Sequence, residues 1–273
     1  MQDKKNKPAL RPPAVPEVHS LARVLSKRGA ASRKQAEVLI AAGRVKVNGI
    51  VVRDALYRIP LNAQLAIDDL AHHSQSQAFH YAVMHKPKGY VTTRSDEHGR
   101  KTVYDLLTPF LAIHAITTPL QAVGRLDKDT AGLLLFTNDF ALADLLLDPE
   151  SRTPKTYLVK LRRPVSPEEF LQLQRGTELR IDGQSHFAKP SRVIQHKPAL
   201  IELTLIEGKN REVRRLIEAS SNKVESLTRI GFANLRLTLT PNLPPTLNGQ
   251  AFPAGSLRFI TRRDLLATGK MIA

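Results

Sequence analysis

The stretch GRLDKDTAGLLLFTND, residues 124–139, carries the strongest fold signal in the chain. Its polar first half is followed by an apolar run, Gly132–Thr137, whose length is typical of a buried β-strand. Asp127 precedes that run, which places it on a loop over the predicted sheet. A single loop aspartate most often forms a turn or a cap, so the rest of the chain has to show whether this one does chemistry.

Strands and helices are predicted on both sides of this stretch in an irregular order. The predicted strands are Phe79–Met84, Lys155–Leu161 and Leu200–Ile206, and the predicted helices are Phe140–Leu147, Pro167–Arg175 and Arg211–Ala219. Because the two kinds of element do not alternate strictly, a doubly wound parallel sheet is not expected. We expect one large α+β domain over residues 79–273.

The composition favours an anionic partner. The 273 residues include 41 Lys and Arg against 25 Asp and Glu, a net charge of +16, and nucleic acid is the first partner to consider for so basic a chain. The absence of cysteine excludes a disulfide framework, a thiolate nucleophile and a cysteine-ligated zinc. No apolar run is long enough to span a bilayer, and the N-terminus lacks the apolar stretch of a signal peptide, so we expect a cytoplasmic protein.

A small unit is predicted ahead of the large domain. The apolar faces of its two predicted helices are formed by Leu21, Val24, Leu25, Ala36, Leu39 and Ile40. Gly29 stands where a C-cap would end the first helix, and Ser32 has the capping position of the second. Asn48-Gly49 then separates two short apolar runs, which is the strongest short signal for a β-hairpin.

This small unit is strongly basic. Its cationic residues between positions 23 and 53 are Arg23, Lys27, Arg28, Arg33, Lys34, Arg44, Lys46 and Arg53, against the single acid Glu37. A solvated charged face is the ordinary explanation of a charge run, but the near-absence of acids favours neutralisation by phosphates. We therefore predict RNA contacts from Arg23, Lys27, Arg33, Lys34, Arg44 and Lys46.

The small unit resembles the RNA-binding domain of the ribosomal protein S4 type. The run that carries the resemblance is LARVLSKRGAASRKQAEVLIAAGRVKVNGIVV, residues 21–52. It implies an αα-hairpin-β module that grips structured RNA by its backbone and shape. The expected organisation is a disordered basic tail over 1–16, this module over 17–70, a polar linker over 71–78, and the large domain over 79–273.

Four runs in the large domain carry a second resemblance. They are HKPKGY (85–90), the stretch 124–139, KTY (155–157) and EGKNREVRRL (207–216). Together they are similar to the RsuA family of ribosomal RNA pseudouridine synthases. The resemblance implies a mixed, largely antiparallel sheet with flanking helices. It also implies an enzyme that isomerises uridine to pseudouridine in ribosomal RNA without a metal or cofactor.

The same resemblance implies three catalytic residues. Pseudouridine formation breaks a C–N glycosidic bond, rotates the uracil and rejoins it through carbon, so it needs a carboxylate, a cation that keeps the carboxylate ionised, and a platform for the base. These are implied to be Asp127 as nucleophile, Arg214 as the cation, and Tyr157 as the ring on which a flipped uracil stacks. By residue type alone, Tyr157 would be a core strand tyrosine. The order of attack, on the sugar or on the base, stays open.

Six more residues of the large domain are predicted to contact RNA: Lys86, Arg125, Lys209, Asn210, Arg211 and Arg215. Together with Pro87, Lys86 also has the character of a fold-defining turn, and a solvated position stays open for Arg215. Asp129 is expected at the surface.

Two other functions fit parts of the sequence. A silent RNA-binding or ribosome-assembly factor would use the same two domains, but it has no need of Asp127, Tyr157 and Arg214 together. A carboxylate-pair hydrolase would use Asp127 and Asp129, but no further acid cluster is present for metals. We expect a monomer that acts on ribosomal RNA or a subunit precursor, without a membrane or small-molecule cofactor. The NREVRR form of the fourth run is closer to the enzymes of large-subunit RNA.

Overall fold

The computed structural model describes residues 18–28, 30–31, 33–60, 62–68, 78–240 and 243–266. The chain divides into two units, residues 1–77 and residues 78–273. The predicted tail over 1–16, nearly all of the predicted linker over 71–78, and the predicted caps at Gly29 and Ser32 lie outside the described residues.

The first unit combines two short helices with two small sheets. Its elements are β1 (Val18–Ser20), α1 (Leu21–Lys27), α2 (Arg33–Ala41), β2 (Val45–Val47), β3 (Ile50–Val51), β4 (Arg58–Pro60) and β5 (Leu65–Ile67). Strand β1 pairs with β4, and β2 lies between β3 and β5, all antiparallel. The sequence does not predict β1, β4 or β5, because each is only three residues long and shows no alternation of its own.

An apolar cluster joins the helices and the hairpin of this unit. Leu21 of α1, Ile40 of α2 and Val45 of β2 are all 0% exposed, which confirms the predicted inner faces. At the hairpin turn, Asn48 and Gly49 both have positive φ, 49° and 83°, as a type I′ turn requires. The predicted hairpin is therefore confirmed.

The second unit contains the remaining elements. They are β6 (Tyr81–Lys86), α3 (Tyr104–Ile113), β7 (Gln121–Val123), β8 (Thr130–Thr137), α4 (Phe140–Leu147), β9 (Lys155–Leu161), α5 (Pro167–Arg175), β10 (Thr177–Ile181), β11 (Gln184–Ala188), β12 (Arg192–Lys197), β13 (Leu200–Leu205), α6 (Glu212–Ala219), β14 (Val224–Phe232), β15 (Leu235–Thr238), β16 (Thr246–Leu247), β17 (Gln250–Ala251), β18 (Leu257–Ile260) and α7 (Arg262–Leu265).

Eleven of these strands form one mixed sheet, and β10 and β11 form a separate hairpin. At the centre of the large sheet, β14 pairs with β9 on one side and with β8 on the other. The pairing of β8 with β14 is parallel, and the other named pairings are antiparallel. The expected α+β class with a largely antiparallel sheet is confirmed.

Helices cover both faces of the sheet. Along β8, Leu134 and Phe136 join the apolar cluster that includes residues of α3, α5 and α6, whereas Leu133 and Leu135 join the cluster that includes residues of α4 and α7. This two-residue alternation is what a strand between two apolar layers requires.

Several boundaries differ from the sequence predictions for local physical reasons. Helix α6 begins one residue late, because Arg211 has a left-handed backbone with φ 51° and still belongs to the preceding loop. Helix α3 is not predicted from sequence, since Pro109 within it is an ordinary helix breaker. None of the helices in the described ranges has the length and apolar character needed to cross a bilayer.

Candidate active site

Asp127 lies in the loop between β7 and β8, as predicted. A buried lysine binds the backbone of this loop. Lys86, at the end of β6, is 0% exposed. Its ammonium group donates to the carbonyl oxygens of Asp127 at 3.1 Å, Thr130 at 2.8 Å, Pro87 at 3.1 Å and Lys128 at 3.4 Å. The backbone of the loop is therefore tied to the neighbouring strand.

The burial of Lys86 contradicts the prediction that it contacts RNA. A side chain without exposed surface, whose donors all point to backbone carbonyls, has no means of reaching a phosphate. Burial also lowers the pKa of Lys86 from 10.5 to about 8, although the nearby Asp127 and Asp129 carboxylates oppose that shift. Lys86 is the last residue of β6, directly before the turn at residues 88–89, and its contacts are structural.

Two arginines face the Asp127 carboxylate. Arg211 Nη1 lies 3.8 Å and Arg214 Nε lies 3.9 Å from Asp127 Oδ2. The Arg214 side chain is 14% exposed, whereas that of Arg211 is 50% exposed. Arg214 also donates to the carbonyl oxygen of Asp129 at 3.2 Å, so it contacts the loop at two points. The pairing of Arg214 with Asp127 agrees with the prediction, and Arg211 joins it there.

The packing at the start of α6 fixes the position of these arginines. Val213, Leu216 and Ile217 are buried on the inner side of the helix, as predicted. The buried Glu212 carboxylate accepts a hydrogen bond from the Lys209 backbone N–H at 2.9 Å, which fixes the loop before the helix. Arg211, in the loop just before α6, and Arg214, in the first turn of the helix, are left facing Asp127.

A cavity of about 120 Å³ opens beside Asp127. Its lining combines the Asp127 loop, the start of α6, and residues of β9 and β14. The polar side chains in that lining are Arg125, Asp127, Thr130, Lys155, Tyr157, Lys209, Arg211, Glu212, Arg214 and Arg229. The three predicted catalytic residues are thus brought to one cavity by segments that are far apart in sequence.

Tyr157 belongs both to the core and to this cavity. It lies on β9, is 9% exposed, and packs in the larger apolar cluster. Burial raises the pKa of Tyr157, so the phenol stays protonated near neutral pH. The ordinary interpretation, a core strand tyrosine, therefore describes its packing, while its position on the cavity wall is the one that a base platform needs.

The sequence predictions missed two buried cations in the cavity. Lys155 is two residues before Tyr157 on β9, so strand alternation would have placed it on the same face. Burial lowers the pKa of Lys155, and the nearby charge of Arg229 adds to that effect. Arg229 lies on β14 directly opposite Tyr157, and no local sequence signal marks it.

The other predicted RNA-binding residues of this unit fall into two groups. Arg125, Lys209 and Asn210 are exposed, and they line a wider groove that also includes Asp127. Arg215 instead donates to the carbonyl oxygens of Arg180 at 2.7 Å and Asn210 at 3.2 Å, so its guanidinium stabilises the fold. Asp129 is exposed, as expected.

In the small unit, most of the predicted basic residues reach solvent. Arg23, Arg33 and Lys34 are exposed. Lys46 forms an ion pair with Asp68 at 3.1 Å, and Arg44 donates to the Asp68 carbonyl oxygen at 3.2 Å, so both are partly engaged within the unit. The side chain of Lys27 lies outside the described part of the chain.

One group of potential metal ligands stands out in the described part of the chain. His186 Nε2 lies 3.5 Å from a carboxylate oxygen of both Glu207 and Glu212. The Lys155 charge interacts favourably with the same two glutamates. His186 therefore connects β11 to Glu212 at the start of α6 and to Glu207 in the loop before it.

Comparison with known proteins identifies the family of the chain. The model described as RNA pseudouridylate synthase matches residues 80–219, and the S4 domain model matches residues 20–65. The chain belongs to the RNA pseudouridylate synthase family. It is therefore an isomerase, and the first match covers the Asp127 loop, Tyr157 and the start of α6.

Individual proteins that are similar to this chain are also pseudouridine synthases by name. The chain is 36% identical to the ribosomal large subunit pseudouridine synthase B of Bacillus subtilis, over 80% of this chain and 86% of the relative. It is 37% identical to an uncharacterised RNA pseudouridine synthase of Aquifex aeolicus, over 88% of this chain and 96% of the relative. A crystal structure of a pseudouridylate synthase superposes with a TM-score of 0.61 at 25% identity, covering 90% of this chain and 98% of the other.

Proposed function

We propose that this synthase isomerises a uridine of ribosomal RNA to pseudouridine, and that its target lies in the large subunit. The name of the Bacillus subtilis relative supports the choice of subunit, and so does the NREVRR form of residues 210–215. Its partner is then ribosomal RNA or a subunit precursor. We further propose that it works in the cytoplasm as a monomer.

Asp127 is the proposed nucleophile. The observation that carries this assignment is the position of its carboxylate, at the mouth of the cavity and within 4 Å of the guanidinium groups of Arg211 and Arg214. Two guanidinium groups at these distances attract the carboxylate and can hold its orientation towards the cavity. The contact that Arg214 makes with Asp129 is to the backbone carbonyl oxygen of that residue and not to its carboxylate.

The proposed reaction balances without a cofactor. The C1′–N1 bond breaks with its electron pair remaining on the base, while an Asp127 oxygen bonds transiently to the sugar or to the base. The base rotates, C5 bonds to C1′, and the bond to Asp127 breaks to regenerate the carboxylate. A proton leaves C5 and another is taken up at N1, so the product is an isomer of the substrate.

The remaining residues bind and orient the RNA. A flipped uracil placed in the cavity lies against Tyr157, and stacking there recovers part of the cost of extrusion. Arg125, Lys209 and Asn210 line the wider groove next to Asp127, where they can contact the phosphates on either side of the flipped nucleotide. The exposed Arg23, Arg33 and Lys34 of the small unit supply a separate grip on structured RNA.

Tritium release from RNA labelled at C5 of uracil, without added metal, tests this proposal. We expect release by the native chain and none by Asp127→Ala or Asp127→Asn. Asp129→Asn is the matched control, because it removes a neighbouring exposed carboxylate, and it should retain release. RNA binding without any release would mean a silent binder, and strand cleavage or metal dependence would mean a hydrolase.

The target itself is found by mapping. Pseudouridines in ribosomal RNA from cells with and without the gene should differ at one or a few positions of the large-subunit RNA. A difference confined to the small-subunit RNA, or to transfer RNA, would refute the proposed substrate while leaving the reaction in place.

A further inference from the structure

Arg229 is a buried cation on the wall of the cavity. It lies on β14, where its backbone pairs with that of Tyr157 on β9, so the two side chains stand next to each other on one face of the sheet. Arg229 is only 2% exposed. A charge removed from water in this way is costly to the fold unless its surroundings compensate it.

The surroundings of Arg229 compensate it incompletely. Its Nε donates to the Leu133 carbonyl oxygen at 2.8 Å, and its guanidinium carbon lies 4.8 Å from the centre of the Phe232 ring. Burial lowers the pKa of Arg229, and the group that offsets this effect is the Tyr157 hydroxyl rather than a carboxylate. Among the described residues, none accepts a hydrogen bond from its buried Nη2.

The position of Arg229 beside Tyr157 restricts what the Tyr157 hydroxyl can do. A guanidinium donates hydrogen bonds and accepts none, so towards Arg229 the phenol oxygen can act only as an acceptor. The phenol proton is then left to donate to a different group. A positive charge behind the phenol oxygen also makes its O–H a stronger donor.

Negative charge develops on the base in the proposed reaction. When the C1′–N1 bond breaks, the electron pair spreads from N1 to the carbonyl oxygens O2 and O4. If Asp127 adds to the base first, the charge falls on C5 and O4 instead. In both orders an electron-rich uracil occupies the cavity that Tyr157 and Arg229 line.

We propose that Arg229 is a positioning residue that acts through the Tyr157 hydroxyl to stabilise negative charge on the uracil. This inference rests on the proposed function of the cavity. The site then has two separate positive poles: Arg211 and Arg214 face the Asp127 carboxylate, and Arg229 stands behind the base. The uncompensated charge of Arg229 is matched when the anionic base is present.

Single-turnover kinetics at saturating RNA test the inference. Arg229→Met removes the charge and nearly preserves the volume, and we expect the rate to fall about 10²-fold, as for loss of a donor to a developing anion, with RNA affinity unchanged. Arg229→Lys should recover most of the rate. The control is Arg236→Met. Arg236 pairs with Glu202, which lies beside Leu158 on the face of the sheet opposite to Tyr157 and the cavity. It should react at the native rate.

A better leaving base separates charge stabilisation from a structural role. Fluorine at C5 withdraws electrons and stabilises the uracil anion, so with 5-fluorouridine at the target the deficit of Arg229→Met should shrink about tenfold. Conversion is followed as loss of the fluorouridine nucleoside after digestion. Tyr157→Phe removes the proposed relay while leaving Arg229 in place, and its deficit should shrink in the same way. If Arg229→Met does not fold, the change in the Tyr157→Phe deficit between the two substrates tests the inference.

An equal deficit with both substrates overturns the inference, and so does an Arg229→Met variant that reacts at the native rate. Neither result touches the proposed function, which fails only if native protein releases no tritium or Asp127→Ala still does.

Discussion

The ammonium nitrogen of Lys86 lies 3.1 Å from the carbonyl oxygen of Asp127 and 2.8 Å from that of Thr130. A buried cation thus holds the backbone at both ends of the segment between the proposed nucleophile and β8. The carboxylate of Asp127 points away from that anchored backbone, and it faces Arg211 in the loop before α6 and Arg214 in the first turn of α6. Lys86 contributes by placing the loop, without contact to RNA.

Lys86→Met should cost activity by misplacing Asp127. Methionine keeps the buried length but donates no hydrogen bonds, so four carbonyl oxygens lose their common partner. A displacement of about 1 Å at a reacting group costs roughly 10²-fold in rate, and we expect a loss of that order in single-turnover tritium release. RNA affinity should stay at the native value. A variant that lost affinity and kept its rate would contradict this role.

The stability of the protein should depend on pH through Lys86. Its pKa is lowered from 10.5 to about 8 in the folded state, so between these values the unfolded chain binds more protons than the folded one. The free energy of unfolding therefore gains an increment that rises with pH across this window, by up to about 1.4 kcal/mol per pH unit. The contribution of Lys86 is isolated by measuring the free energy of unfolding in urea for the native protein and for Lys86→Met at pH 7 to 10. The difference between the two should change across the window, and parallel curves would argue against a shifted lysine.

The two arginines beside Asp127 should be separable by mutation. Arg214 is mostly buried and touches the loop twice, so Arg214→Ala should lower the single-turnover rate by 10²-fold or more, in line with roughly 10²–10³ for loss of a fixed charge partner. Arg211 is half exposed, and Arg211→Ala should mainly weaken RNA binding and reduce its salt dependence by about one phosphate contact. Equal rate losses in the two variants would show that this division is wrong.

The close contact of β8 with β14 should tolerate no side chain at Gly132. A Cβ there would lie 2.2 Å from the Arg229 carbonyl oxygen, and φ is +114°. We expect Gly132→Ala to destabilise the protein by more than about 4 kcal/mol or to prevent folding. Gly249 has φ +76° and open space around it, so Gly249→Ala should cost only the 1–2 kcal/mol, roughly, of a left-handed residue. Thermal unfolding that ranked the two variants equally would contradict the contact.

The exposed cations of the small unit should account for part of the salt dependence of RNA binding. In the double variant Arg33→Ala, Lys34→Ala, affinity should fall, and the slope of log Kd against log salt should decrease by about one for each lost phosphate contact. Lys160→Ala is the control, since Lys160 is paired with Glu225 at 2.6 Å. An unchanged slope in the double variant would remove these two residues from the RNA interface.

Local patterns in the sequence were sufficient for a large part of the fold. The helices Phe140–Leu147 and Pro167–Arg175 and the strand Lys155–Leu161 have the predicted ends, because their apolar periodicity lies within the element itself. The Asn48-Gly49 hairpin was predictable for the same reason. Short strands such as β1 and β4 were not, since their pairing partners lie about forty residues away.

The sequence by itself determined the residue types that the chemistry requires, because the motifs around Asp127, Tyr157 and Arg214 are contiguous runs that a resemblance can identify. Beyond Arg214, only the tertiary structure decided which cations lie close to those residues. In the structure, Lys86 is buried under the Asp127 loop and not on the RNA-binding surface. Arg215 donates to backbone carbonyl oxygens, and Arg229 lies opposite Tyr157. Burial and cross-strand pairing set these roles. Both arise from contacts between segments distant in the chain, so no local pattern of charge records them.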